Sequence, residues 1–467
     1  MKHIAKFSKR AQLGWGQQRS VPAALARWSL ASLALALTLP AWSLDLRQAY
    51  EAAYANDATV RAARSGTEAT RERIPQARAQ LLPNLSLNAT RNRNDLVSET
   101  PNFRGTITRS ETFYFSNSQS LTLRQSLYRP YQTAQLRQAR AQVDDAEASL
   151  DREEQGLLVR VGEAYFEALL ARDQLGLIAA QKRTYTTQLD AAKKGLTAGS
   201  GTRTDVDESQ ARLDLTLAQE LEARQNEGFT RHRLEVITGQ SLGETELASL
   251  AVDRFKPDAL VPVLVDDWIA RAESASPELR SLRAQVEAAR QEIDKANAGH
   301  KPTLDLVLQW ARTQSDTVTS VNQRYDNKSI GVQLSIPLYA GGYVSSTVRQ
   351  AVANLERTNE LLEAQRRDLG VRVHREFRGV TEGVLRISAL EQAVRSAELA
   401  VDSNQKSAKA GSRTTIDVLN AEQQKTTALR DLAQARYVYL VSRLRLQSLT
   451  GEDEQANIIR TNAWLNP

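Results

Sequence analysis

The nine residues AGSGTRTDV, Ala198 to Val206, return as AGSRTTIDV, Ala410 to Val418, 212 positions later. Other echoes keep the same order and nearly the same spacing. LTLRQSLY (Leu121 to Tyr128) matches VQLSIPLY (Val332 to Tyr339) 211 positions on. The ITG ending at Gly239 matches the LTG ending at Gly451 after 212, and Pro83 in LLPNLSL matches Pro302 in HKPTLDL after 219. A chain with such self-similarity builds one plan twice. The expected organisation is a first repeat over 44–239, a connector over 240–265, a second repeat over 266–451 and a C-terminal tail over 452–467.

Each repeat reads in the same order. A helix of about 35 residues comes first, near Asp45–Gln80 and again near Asp266–Ala298. A proline ends it and turns the chain into a strand. Two alternating strands follow, then a very long helical stretch, Tyr131–Leu196 or Val344–Ala408. At 1.5 Å per residue each spans roughly 100 Å. The repeated glycine-rich turn and a returning helix complete the unit. The two shorter helices laid end to end match the long one, which predicts an elongated rod. With 25% charged and only 6% aromatic residues, the helices carry narrow apolar stripes instead of a thick core. Leu355, Leu362 and Leu369 fall at heptad spacing; Leu429, Leu432, Tyr437, Leu440 and Leu444 keep spacings of three to five. Val206, Leu213, Leu217 and Leu221 form a similar seam, and such seams predict coiled-coil packing.

The strands alternate strictly. TLDLVLQWA puts Leu304, Leu306, Leu308 and Trp310 on one face and Asp305, Val307 and Gln309 on the other; VQLSIPLY separates Val332, Leu334, Ile336 and Leu338 from Gln333 and Ser335. In the first repeat Leu85, Leu87 and Ala89 oppose Ser86, Asn88 and Thr90, while Leu121, Leu123 and Leu127 oppose Thr122, Arg124 and Ser126. Period-two alternation gives one apolar and one polar face, which fits a membrane barrel strand with lipid outside and water inside. Phe113, Tyr114, Phe115, Trp310 and Tyr325 fall where an aromatic girdle would sit. The competing reading is a soluble four-stranded sheet covered by the helices. Single-chain outer-membrane barrels start at eight strands, so four must be completed by other copies.

Residues 1–43 read as a targeting segment: six cations (Lys2, Lys6, Lys9, Arg10, Arg19, Arg27), the apolar run LASLALALTL and the small-x-small site AWS. The whole chain carries +6, so the remainder is near 6 − 6 = 0, and nucleic-acid binding loses its main support. There are no cysteines, and the histidines (His3, His232, His300, His374) are scattered. No GxxxxGK[ST] or HExxH is present, and no cofactor, metal or catalytic site is expected. Thr202 to Asp205 and Thr414 to Asp417 fit the Thr-x-x-acid capping box, and Gly199, Gly201 and Gly411 read as tight-turn residues.

LSIPLYAGG, Leu334 to Gly342, resembles the strand-to-helix signature of TolC-like outer-membrane efflux and secretion channels, carried by Pro337, Leu338, Tyr339, Gly341 and Gly342. GSRTTIDVLNAE, Gly411 to Glu422, resembles that family's second hairpin turn, and LRQSLYRPY and GSGTRTDVDESQA are weaker forms in the first repeat. The likeness covers nearly the whole chain after residue 43. It implies a mainly α fold with β: antiparallel coiled-coil hairpins and four transmembrane strands per chain. Three copies would form one barrel in the Gram-negative outer membrane, continued by an α-helical barrel through the periplasm. The connector and tail would lie around its middle, and the repeated turns would be the tips that close its periplasmic entrance. Arg413 matches the arginine that ties one hairpin to its neighbour, Thr204 and Asp205 match its partners, and Asp417 matches an inward-facing acid. Ala408 and Asn420 stand where a gate tyrosine and a second ring acid are found in the family. The implied partners are a periplasmic adaptor, an inner-membrane ABC or proton-driven transporter, and outer-membrane lipid, with no nucleic acid. The implied function is a passive exit duct for protein secretion or drug efflux. The absence of cysteine disfavours a lipid-anchored drug-efflux subtype. The alternative is a periplasmic coiled-coil scaffold without a pore.

Overall fold

The computed structural model describes residues 43–243, 245–257, 260–317 and 320–466. The targeting segment lies outside them but for Ser43. Among the described residues no helix is long and apolar enough to cross a membrane.

The first element of each repeat is broken where one helix was expected. In the first repeat it is α1 (Leu46–Asn56), α2 (Ala58–Arg71) and α3 (Arg73–Ala79); in the second it is α6 (Val265–Ala275) and α7 (Pro277–Asn297). Asp57 breaks the first, its carboxylate accepting from the Val60 amide at 2.9 Å. Ser276 breaks the second, its hydroxyl accepting from the Leu279 amide at 3.3 Å, with Pro277 next in line. Both residues leave the helical region at φ −60°, with ψ 121° and 117°. A side chain that offers the backbone a local acceptor stops one helix and starts another.

Strands β1 (Asn84–Pro101) and β2 (Ile107–Tyr128) lead into α4 (Pro130–Thr197), 68 residues long, and the return helix α5 (Arg203–Thr238). Strands β3 (Thr303–Thr317) and β4 (Ser320–Ser335) lead into α8 (Tyr343–Lys409), 67 residues long, and α9 (Thr415–Leu449). A last helix, α10, spans Glu454–Asn462. Both long helices match their expected bounds within one residue. β4 ends at Ser335, so Ile336 and Leu338 lie in the strand-to-helix linker and not on the strand face. Pro337, with no N–H for a ladder bond, accounts for the stop. Gly341 and Gly342 turn the chain into α8 at φ +58° and +82°.

α4 packs on α5 towards the tips and on α7 towards the sheet, while α8 packs on α9 and α7. Polar bonds run between them: Lys182–Glu220 at 2.7 Å, Arg445–Glu163 at 2.8 Å, Tyr437–Asp173 at 2.6 Å and Arg372–Glu278 at 2.6 Å. The aromatic core sits mid-rod. Tyr165, Phe166, Trp268, Tyr437 and Tyr439 are buried there with Phe255 and Trp464. Here the connector is clasped on both sides. Leu44 bridges Leu247, Leu250 bridges Leu465, and the Tyr165 hydroxyl donates to the Leu44 and Ala248 carbonyls at 2.8 and 3.1 Å.

Equivalent glycines close both repeats at this level. Gly239 (φ +67°) faces Asn56 at the end of α1, and Gly451 (φ +66°) faces Ala275 at the end of α6. A Cβ on either would stand 2.6 Å from the neighbour's Cβ. Gly239→Ala and Gly451→Ala are each expected to cost about 1–3 kcal/mol from strain alone. Both lower the midpoint of thermal unfolding, whereas Gly66→Ala, in an open helical position, does not. Equal midpoints for all three would refute the packing.

Candidate functional site

The two hairpin tips have one construction. Gly199 (φ +71°) and Gly411 (φ +77°) take the left-handed conformation that ends each long helix. The Ser200 amide reaches back to the Gly195 carbonyl at 2.9 Å, as Ser412 does to Ser407 at 3.0 Å, which satisfies the last carbonyls of the helix. Thr202 and Thr414 then cap α5 and α9 in complete capping boxes with Asp205 and Asp417. Asp205 accepts from the Thr202 hydroxyl at 2.6 Å and amide at 3.1 Å; Asp417 accepts from both groups of Thr414 at 2.9 Å. The turns differ at one position. A Cβ on Gly201 would lie 3.0 Å from the backbone of Gly195 and Leu196, and the second turn carries Arg413 there.

The hairpins of one chain are tied through Asp205 and Asn420, and through further residues the sequence did not single out. Thr415, at the start of α9, stands close enough to the Asp205 carboxylate to help hold its proton affinity down. Arg212 on α5 donates to the Asn420 side chain at 3.1 Å. Higher up, Gln181 and Tyr185 on α4 both donate to Gln423 on α9, at 2.7 and 3.2 Å. Within the chain Arg413 lies 3.8 Å from Asp417 and is exposed, so it leaves Asp205 to Thr202 and Thr415. Thr204 is exposed. Asn420, which stands where the family has a second ring acid, is occupied as a neutral acceptor.

The other end of the rod is the four-stranded antiparallel sheet, in the order β1-β2-β3-β4. Its outer strands each leave one edge unpaired. Among the described residues no helix covers its apolar face: Leu87, Ile330 and Val332 are 68%, 73% and 62% exposed. The opposite face holds Asn84, Ser86, Asn88, Thr90 and Asn92 on β1, opposite Arg124, Thr122, Ser120, Ser118 and Ser116 on β2. It is hydroxyl- and amide-rich. Its charges lie towards the helices, where Asp305 is ion-paired to Arg129. Tyr114 pairs with Asn94 and Tyr325 with Thr313, which places these two rings on the polar face and not in the girdle. Phe113, Phe115 and Trp310 keep the apolar face.

Residues 49–240 and 268–452 match the family model described as outer membrane efflux protein. The chain belongs to that family. It is 35% identical to the alkaline protease secretion protein AprF of Pseudomonas aeruginosa over 93% of this chain and 90% of that one. It is 31% identical to the outer membrane protein TolC of Escherichia coli over 90% and 85%. Among solved structures it superposes on the outer membrane protein VceC of Vibrio cholerae with a TM-score of 0.74 at 18% identity, covering 88% and 99%. The family places the chain in the Gram-negative outer membrane as a channel reaching into the periplasm. It removes the pore-less scaffold, as the bare apolar face removes the soluble sheet.

The tip acids give a pH test. The Asp205 carboxyl is held below its ordinary value first by the Thr202 hydroxyl, which outweighs the opposing effect of burial, and then to a lesser extent by that residue's amide and by Thr415. The Asp417 carboxyl is held down first by the Thr414 amide, then by its hydroxyl and Arg413. A carboxyl depressed in the fold stabilises it above its unfolded value of about 3.9, and that contribution is lost as pH falls through the depressed value. Intrinsic-rate-corrected hydrogen exchange of the tip amides should stay flat from pH 8 to 5 and rise below about pH 4. Thr202→Val with Thr414→Val should remove that step. A step near neutrality would contradict the caps.

Proposed function

We propose that this chain is the outer-membrane exit duct of a protein secretion system of the type I kind. It would work as a homotrimer, with a periplasmic adaptor and an inner-membrane ABC transporter supplying the energy. The observation that carries this reading is the four-stranded sheet with two open edges and a bare apolar face, set on hairpins of roughly 100 Å. Three copies supply twelve strands, enough for a water-filled bore, and align six hairpin tips at the far end. Protein cargo is favoured over drugs by the likeness to a protease secretion protein and by the Ser/Thr/Asn-rich face, uncharged beyond its helix-proximal end, which offers a passing polypeptide little to bind.

No catalytic role is assigned: the polar face and tips serve a conduit, and the energy comes from the partner pump. The Thr204, Asp205, Arg413 and Asp417 set is the proposed gate. Asp205 and Asp417 shape the tips as caps, and Arg413, exposed and only loosely held by Asp417, is free to reach the Thr204–Asp205 corner of an adjacent hairpin in the ring. Opening separates the tips while the aromatic level stays closed-packed.

Arg413→Ala combined with Asp205→Ala is expected to raise single-channel conductance in planar bilayers several-fold, with the trimer intact. Unchanged conductance would remove these residues from the gate. Deleting the gene should stop export of the cognate protein while leaving its synthesis intact; normal export would refute the secretion role.

A further inference from the structure

The apolar face of the sheet changes character abruptly, one rung at a time. Strand register lines up Leu304 with Leu334 and Leu306 with Val332. Above them Leu85, Leu123, Leu308 and Ile330 form one rung, and Leu87, Leu121, Trp310 and Lys328 the next. Then come Ala89, Gln119, Arg312 and Asp326, followed by Arg91, Asn117, Gln314 and Arg324, and finally Arg93 beside Phe115. The apolar part covers about 20 Å of strand at roughly 3.3 Å per residue, near the height of a barrel's lipid band.

Five cations thus stand at the upper margin of that band or directly beyond it: Lys328 level with Trp310, then Arg312, Arg91, Arg324 and Arg93, against the acids Asp326 and Asp95 on the same face. They lie on its far side from the helices, hence on the exterior side of the membrane. The other face at the same height is uncharged, with Thr90, Asn92, Ser116, Ser118, Thr313 and Asn327. The segregation is therefore towards lipid and not towards the bore. Arg312 is pinned by Asp326 at 2.9 Å and lies over Trp310, and Arg91 lies over Phe115 at 4.9 Å. Arg93, Arg324 and Lys328 are exposed and make no ion pair among the described residues. Four of the five cations sit on β1 and β4, the two open edges.

We propose that this belt binds the phosphoryl groups of phosphorylated glycolipid in the outer leaflet. The main sites are at the seams between copies. This rests on the trimeric ring: closing it sets Arg324 and Lys328 of one copy against the strand that carries Arg91 and Arg93 in the next. Aliphatic stems lie along the upper lipid band while the charged heads rise to headgroup level. Guanidinium groups then meet phosphate oxygens in paired, charge-assisted hydrogen bonds at a depth where competing water is scarce.

The test uses the full-length trimer in detergent. Native mass spectrometry measures binding of bis-phosphorylated lipid A and of the same lipid after phosphatase treatment. Wild type should hold the phosphorylated lipid roughly tenfold or more tighter, as a cluster of basic residues implies. Arg93→Gln, Arg324→Gln and Lys328→Gln together should bring the two lipids level, with trimer and conductance unchanged. Equal retention of both lipids by wild type would overturn the proposal without any variant. So would full displacement by excess inorganic phosphate, or undiminished lipid binding by the triple variant. Conductance, read on the same protein, reports the channel itself and separates failure of the belt from failure of the duct.

Discussion

Two strand edges without partners govern this molecule. β1 and β4 run 18 and 16 residues with one side of each ladder unpaired, beside an apolar face that nothing among the described residues covers. In water that surface is an aggregation site; in lipid an open edge is not tolerated, because each unpaired peptide group costs several kcal/mol. Only further copies of the same sheet remove both costs together. Once the strands are joined edge to edge, the helices that grow from them must also stand side by side. Narrow apolar stripes and abundant alanine suit helices with neighbours on more than one flank.

The rod has a fixed level and a free end. Its aromatic residues gather where Leu44, the connector and Leu465 are clasped around Tyr165. Towards the tips, apart from Tyr185, Gln181 and Glu422, the buried positions are mostly small or aliphatic, such as Val394, Ala397 and Val401. The cross-ties there are neutral or singly charged, notably Arg212–Asn420 and Gln181–Gln423. Ties of this kind hold a closed state yet yield at modest cost, as a gate requires. Duplication explains why the mouth consists of near-equivalent parts. The single exchange of Gly201 for Arg413 explains how the two turns differ in what they present.

Much of this was legible in the sequence because it is local. Ala198–Val206 and its echo announce the repeat, Thr202 and Thr414 announce helix starts, and alternation from Leu304 to Trp310 announces a two-faced strand. The strands nevertheless run much further than alternation shows. Asn92 to Pro101 is paired throughout yet mixed on both faces, because beyond the lipid both sides meet water. Parity along β2 and β4 could have placed Tyr114 and Tyr325 on the polar face. No local signal could have found the Arg212–Asn420 contact, which joins residues 208 positions apart. The same holds for the clasp of the connector, which exists only once three distant segments meet.

The central claim is that neighbouring residues of one strand see lipid and water in turn. The chain has no native cysteine, so single labels can be placed cleanly. A fluorophore at Ile330→Cys should be quenched by bromine on lipid chains and not by aqueous iodide, and one at Ser329→Cys should show the reverse. The same quenching at both positions, or water access to Ile330, would contradict a shared barrel in the membrane.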